Sequence, residues 1–161
     1  MIPLRGRQAL EDYFAGFWLL SRRIIDRRSG LAGRLSGKVV FRPDAAGFIY
    51  EETGILTYGA YEGQASQSYH WDLDPVDGAA VRFRDGRLFH LLHLDRGAVA
   101  VQHLCAADLY RGRFRLVTDR CWLSRWQVRG PRKDQIILNR YRRATTIAAD
   151  DCAARDGTAR P

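Results

Sequence analysis

Lysine is nearly absent from this chain of 161 residues, although its formal net charge at pH 7 is +8. Only Lys38 and Lys133 are lysines, so arginine supplies almost all of the positive charge and is spread along nearly every segment. Scattered arginines on outward strand positions are typical of a solvated surface, whereas a nucleic-acid interface is marked by a basic patch. We therefore expect no nucleic-acid partner.

The sequence also lacks a long apolar run. Its longest early apolar stretch, residues 14–20, is far shorter than the roughly 20 residues that a membrane-spanning helix needs. Arg5, Arg7, Glu11 and Asp12 occupy the region where a secretory signal requires an uninterrupted apolar segment. We therefore expect a cytoplasmic protein without a membrane partner.

Motifs of the well-marked enzyme classes are missing as well. The chain has no glycine-rich phosphate loop, no His-Glu-x-x-His, no Gly-x-Ser-x-Gly and no paired Cys-x-x-Cys. Its three cysteines, Cys105, Cys121 and Cys152, form an odd set without the spacing of a metal site. These features predict reduced thiols and no metal site, and they leave open whether the protein is an enzyme and which cofactor it uses.

What the sequence does contain is a regular alternation of apolar and polar residues from Gly16 to Arg143, cut by glycine and aspartate turns. A period of two residues predicts strands with one buried face. About 8–10 such strands in so short a chain predict an all-β fold, a single closed antiparallel barrel that can enclose one small ligand.

The alternation also predicts how the chain is divided. A helical pattern occurs only within residues 1–15, where Leu10 and Phe14 are four residues apart, and this segment is expected to cap one end of the barrel. The barrel domain is expected over residues 16–144. Residues 145–161 lack periodicity and are expected to form a disordered tail.

His90 is the best-placed candidate for a functional residue. Asp85-Gly86 between two alternating runs predicts a two-residue hairpin turn, which puts His90 opposite Val81 on the inner face and Phe89 on the outer face. A buried imidazole has a pKa below about 6.5 and is neutral at pH 7, so His90 can contact a ligand, transfer a proton or simply be a hydrogen-bonded core residue.

His103 lies on the next predicted strand, and alternation does not decide which way it faces. A two-residue turn between the strands places it opposite His90, whereas a three-residue turn places it outside. Two histidines on adjacent strands could reach one metal ion, but the sequence shows no third ligand.

Aromatic and cationic side chains complete the predicted ligand site. Aromatic walls with a few polar groups are typical of ligand pockets. The loop Gly130-Pro131-Arg132-Lys133-Asp134 carries two cations, and these could contact a carboxylate or phosphate of the ligand at the barrel mouth. The predicted ligand-binding residues are His90, His103, Tyr69, Trp71, Tyr50, Trp126, Arg132 and Lys133.

The two ends of the barrel segment carry a further pattern. After the N-terminal helix, Gly16-x-Trp18 opens the first strand, and Arg140, Arg142 and Arg143 lie in or near the last one. This arrangement resembles the calycins, the superfamily of lipocalins and fatty-acid-binding proteins. In lipocalins a C-terminal arginine packs over the tryptophan and closes the barrel base, and the resemblance implies the same contact here.

A second set of motifs covers most of residues 14–143: Phe41-Arg42-Pro43, Tyr50-Glu51-Glu52-x-Gly54, Tyr69-His70-Trp71, Phe83-x-Asp85-Gly86-Arg87-x-Phe89-His90, His103-x-Cys105-x-x-Asp108-x-Tyr110-x-Gly112 and Trp126-x-Val128-x-Gly130-Pro131-Arg132-Lys133-Asp134. Together they resemble an uncharacterised, mainly bacterial family of single-domain proteins known only as a domain of unknown function. The resemblance implies a barrel and brings no activity or catalytic residue with it.

Three functions are compatible with these patterns. The first is binding of a small, partly apolar molecule with a polar or anionic group inside the barrel. The second is an enzyme of the isomerase or hydrolase type that acts on such a ligand, with His90 or His103 as general base. The third is a protein-interaction module with a filled barrel, whose basic outer face meets an acidic partner. The sequence leaves the ligand and the oligomeric state open.

Overall fold

The fold is a wall of antiparallel strands preceded by one short helix. The computed structural model describes residues 1–74, 76 and 78–144, so the predicted tail, residues 145–161, lies outside the described residues. The elements are α1 (Gly6–Phe14), β1 (Gly16–Asp26), β2 (Ala32–Pro43), β3 (Gly47–Tyr58), β4 (Tyr61–Asp74), β5 (Gly78–Arg82), β6 (Leu88–Leu92), β7 (Ala98–Cys105), β8 (Asp108–Thr118), β9 (Cys121–Arg129) and β10 (Asp134–Arg143).

The ten strands form one sheet in the order β6-β5-β4-β3-β2-β1-β10-β9-β8-β7. Strand β1 pairs with both β2 and β10, which joins the start of the barrel segment to its end. The edge strands β6 and β7 meet through side chains, with the rings of Phe89 and His103 5.1 Å apart. The sheet is thus nearly closed into a barrel, which confirms the predicted all-β fold.

The alternation in the sequence becomes the two faces of the barrel wall. In β2, Leu35, Val39 and Phe41 point inward and are buried, whereas Arg34 and Lys38 are exposed. Removing one apolar face of each strand from water stabilises the sheet by roughly 25 cal/mol per Å² of buried area. The same burial collects aromatic side chains in the interior.

Helix α1 fills one end of the barrel, which we call the base. Phe14 packs against the aromatic side chains of the interior, and its ring centre lies 5.1 Å from that of Trp71 and 5.6 Å from that of Trp122. Gly16 follows the helix with φ +95°, a conformation that other residues rarely adopt. The chain therefore passes from α1 directly into β1.

Trp18 and Arg143 complete the base. Trp18 is fully buried, and its Nε1 donates a hydrogen bond to the carbonyl oxygen of Phe14 over 2.9 Å. The Arg143 guanidinium lies 4.5 Å from the centre of the Trp18 ring and donates to the carbonyl oxygens of Ala15 and Tyr13. This cation–π contact is the one that the calycin resemblance implies.

The turn between β5 and β6 is longer than predicted. The backbone N–H of Phe83 donates to the carbonyl oxygen of Arg87 over 3.0 Å, which leaves residues 84–86 as the loop. Asp85 holds this loop through its side chain, which accepts a hydrogen bond from the backbone N–H of Arg87 over 3.1 Å. The prediction of a two-residue turn at Asp85-Gly86 is therefore wrong.

A β-bulge in β6 compensates for the longer turn. Val81 pairs with His90, as predicted, whereas Arg82 pairs with Leu88, so Phe89 is the extra residue. Leu88 is exposed, and Phe89 packs inside the barrel, which reverses the face predicted for Phe89. Alternation counted from a turn fails here because it assumes that every residue has a partner across the pair.

The cysteines differ from the expectation of reduced thiols. Cys105 is free and exposed, but Cys121 is disulfide-bonded. Cys152 lies outside the described residues. An odd count of cysteines carries no information about which thiols meet, because that depends on tertiary placement.

None of the helical structure in the described residues is long and apolar enough for a membrane span.

Candidate functional site

A cavity of about 280 Å³ lies inside the barrel, on the inner side of the base. Trp71 and Trp122, which pack against Phe14 of α1, also line this cavity. Every strand except β7 contributes lining side chains. The volume is just below the roughly 300–1,000 Å³ typical of pockets for drug-sized molecules, so the space suits a small ligand.

Most of the predicted ligand-binding residues line this cavity, namely Tyr50, Tyr69, Trp71, His90 and Trp126. The bulged residue Phe89 lies between two of them. Its ring is nearly parallel to those of Tyr69 and Trp126, at centre distances of 5.6 and 5.1 Å. The β-bulge therefore adds to the cavity an aromatic wall that the alternation alone assigns to the outside.

The structure does not bring the other predicted residues to the cavity lining. His103 faces inward at the seam between β6 and β7, where its ring packs against Phe89. Arg132 is exposed in the loop between β9 and β10. The Lys133 ammonium lies 2.8 Å from a carboxylate oxygen of Asp108, so this cation is held by β8. No group of three or more potential metal ligands occurs among the described residues.

A buried ion pair crosses the interior. Both terminal nitrogens of Arg22 donate to the carboxylate of Glu52, over 2.7 and 2.9 Å, and the Tyr50 hydroxyl donates to the same carboxylate over 2.6 Å. Arg22 Nε donates to Asn139 over 2.6 Å, and Asn139 donates to Ser124 over 2.8 Å. The side chains of Arg22 and Glu52 are only 19% and 5% exposed. These side chains form one network, in which the charged groups and the amide have hydrogen-bond partners.

The network also keeps Arg22 charged. Burial by itself lowers the pKa of Arg22, but the hydrogen bonds and the negative charge of Glu52 outweigh burial and raise this pKa above its usual value. Burial raises the pKa of Tyr69 to about 12, and burial also raises the pKa values of Tyr50 and Tyr141. All three tyrosines are therefore neutral at pH 7.

Arg22, Ser124 and Asn139 are absent from the predicted site, although alternation gives each of them an inward strand position, Ser124 with Trp122 and Asn139 with Tyr141. Arg22 has the same strand parity as the buried Trp18, so alternation already places a charged side chain inside the barrel. A charge at an inward position is rare unless it is paired. Alternation does not indicate that the partner of Arg22 is Glu52.

His90 is 5% exposed and surrounded by aromatic rings. The ring centres of Phe89, Phe114 and Trp126 lie 4.7, 5.3 and 5.4 Å from that of its imidazole. Burial lowers the pKa of His90 to about 4, so the side chain is neutral at pH 7. Within the described residues, His90 Nδ1 and Trp122 Nε1 are buried without a hydrogen-bond partner, and both side chains line the cavity.

We expect His90 to make the stability of the protein depend on pH. Its pKa in the folded state, about 4, is below the ordinary value of 6.5, so the unfolded chain binds the proton first as the pH falls. Stability that is complete above about pH 6.5 should be lost by about 3 kcal/mol as the pH falls to about 4. Chemical denaturation across this range should show a smaller loss in His90→Leu, and equal losses in both proteins would contradict the prediction.

The positive charge is concentrated on one side of the barrel, rather than spread evenly as the sequence suggests. On the outer face of β8, β9, β10, β1 and β2, Arg113 lies directly opposite Arg125, and Arg23 opposite Arg34. Apart from Asp134 at the start of β10, no outward position in the described residues of these strands is acidic. Directly opposed like charges weaken a sheet, so they oppose the pairing of these strands.

Comparison with known proteins agrees with this architecture. The model of a family of unknown function, DUF6314, matches residues 14–143. No curated protein is detectably similar in sequence. The structure is similar to the S-type phycobiliprotein lyase CPES from Guillardia theta, with 8% identity and a TM-score of 0.63 over 88% of this chain and 94% of that chain.

A second solved structure shares the same arrangement. It is a protein of unknown function from the DUF3598 family of Nostoc punctiforme, with 13% identity and a TM-score of 0.57. The match covers 89% of this chain and 51% of that one, so this chain spans about half the length of that protein. At such identities both likenesses show the fold alone.

Proposed function

We propose, for a chain that belongs to the DUF6314 family, that the barrel binds one small, partly apolar molecule carrying a polar group. The observation that carries the proposal is the cavity of about 280 Å³, lined by two buried polar atoms, His90 Nδ1 and Trp122 Nε1, that have no partner in the part of the chain that the structure describes. Buried polar atoms normally have hydrogen-bond partners. The polar group of a bound molecule would supply them.

The cavity supports binding better than catalysis. The enzyme alternative uses His90 or His103 as general base, and an effective base has a pKa near the working pH. The pKa of His90 is about 4, and no group among the described residues forms a hydrogen bond with its Nδ1. His103 lies at the seam, outside the cavity lining.

The interaction-module alternative depends on a filled barrel, and the cavity counts against it. Its other basis, the arginine-rich outer face, lies on the far side of the strand wall from the cavity. An acidic partner on that face would be an additional role, independent of the interior.

Filling the cavity should abolish binding. Ala65 lines the cavity, whereas the neighbouring Gln64 is exposed on the outer side of β4. We expect native mass spectrometry of freshly purified wild-type protein and Gln64→Trp to show a retained small molecule, and Ala65→Trp to show none. A wild-type protein that retains no molecule and binds none of 2-naphthamide, 2-naphthoate and 2-isopropylnaphthalene would contradict the proposed function.

A further inference from the structure

Two full charges line the cavity, and they cancel. Arg22 and Glu52 are joined by two hydrogen bonds of 2.7 and 2.9 Å, and Tyr50 donates to the same carboxylate. A carboxylate or phosphate on the ligand would leave water without finding an unpaired counter-ion, which is costly. A cation on the ligand would likewise find no free counter-ion, because the carboxylate of Glu52 is already paired with Arg22. The interior therefore favours an uncharged molecule.

The cavity is also walled by flat rings. Phe89 lies at 15° to Tyr69 and at 10° to Trp126, so three rings are nearly parallel. Tyr50 and Trp71 are nearly parallel as well, at 9°. Aromatic walls favour another aromatic ring, which can stack on them or meet them edge to face.

The unpartnered atoms specify the polar group of the ligand. Trp122 is 1% exposed, and its N–H can only donate, so it needs an acceptor. A neutral imidazole nitrogen either donates or accepts, so Nδ1 of His90 needs the complementary group. Both residues pack against Phe114, with ring centres 6.3 and 5.3 Å from it. One ligand group that both accepts and donates could serve both atoms.

We propose that the ligand of this cavity is an uncharged, flat aromatic molecule bearing a carboxamide-like group, a carbonyl acceptor next to an N–H donor. Its carbonyl oxygen accepts from Trp122 Nε1, its donor meets His90 Nδ1, and its ring lies against the aromatic wall. This inference rests on the proposed binding function, and it narrows the polar or anionic group expected from the sequence to an uncharged one.

Three probes of nearly equal shape test the inference: 2-naphthamide, 2-naphthoate and 2-isopropylnaphthalene. Isothermal titration calorimetry at pH 7 should show that wild-type protein binds the amide roughly tenfold more tightly than either the carboxylate or the hydrocarbon. In Trp122→Phe the affinity for the amide should fall roughly fivefold to tenfold. The affinity for the hydrocarbon should change by less than about twofold, because it makes no hydrogen bond.

The outcomes separate the two proposals. If 2-naphthoate binds as tightly as the amide, or the amide binds no better than the hydrocarbon, the inference about ligand class is wrong and the binding function stands. If none of the three probes binds and the purified protein retains no molecule, the proposed function itself is wrong. The probe comparison in wild-type protein stands even if Trp122→Phe fails to fold.

Discussion

Replacing Glu52 with glutamine is expected to lower the free energy of unfolding by about 3–5 kcal/mol. Glutamine keeps the shape of the side chain but removes the charge that compensates Arg22, whose side chain is 19% exposed and bonded to Glu52 through both terminal nitrogens. An uncompensated charge in the interior is far more costly than the loss of one hydrogen bond. Guanidinium denaturation of the wild type and the variant at pH 7 measures the difference.

The adjacent residue provides a matched control. Glu51 points outward and pairs with Arg42 at 3.2 Å, with both side chains about half exposed. Glu51→Gln should therefore cost less than about 1 kcal/mol. Replacing both Arg22 and Glu52 with leucine should recover much of the loss, because no lone charge remains. Equal costs for Glu52→Gln and Glu51→Gln would show that the buried pair does not hold the barrel interior together.

Shortening Phe14 to alanine is expected to destabilise the protein by about 3–5 kcal/mol. Phe14 is 1% exposed and packs against Phe41, Trp71 and Trp122, so its removal leaves a void beneath the cavity. Thermal and urea unfolding should both report the loss. Phe17 is 61% exposed, and Phe17→Ala should have little effect. If the two variants were equally stable, α1 would not be an essential plug of the base.

The candidate site shows which side-chain positions strand alternation can predict and which it cannot. Strand alternation places His90 inside the barrel, and the structure confirms its pairing with Val81. The same alternation assigns Phe89 to the outside, because a bulge is a mismatch between two strands and leaves no periodic trace in either one. The aromatic wall of the cavity therefore depends on a feature that a single-strand pattern does not contain.

The contacts of Arg22 show the same limit at longer range. Its partners Glu52 and Asn139 are 30 and 117 residues away in the sequence, and they meet only because β1 lies between β2 and β10. Parity along one strand says that Arg22 points inward. Which acid it meets depends on the register of several strand pairs at once.

The sequence by itself determined the all-β class and the barrel, because both follow from local periodicity, and the calycin resemblance implied that an arginine of the last strand packs over Trp18. His90 faces inward as predicted because the longer turn and the bulge at Phe89 offset each other. The tertiary structure alone decided the near-closure of the sheet between β6 and β7, the inward turn of Phe89, the neutral Arg22–Glu52 network and the open volume above the base. These depend on how the strand pairings add up around the barrel and on how completely the side chains fill it, and neither quantity is local to any stretch of the chain.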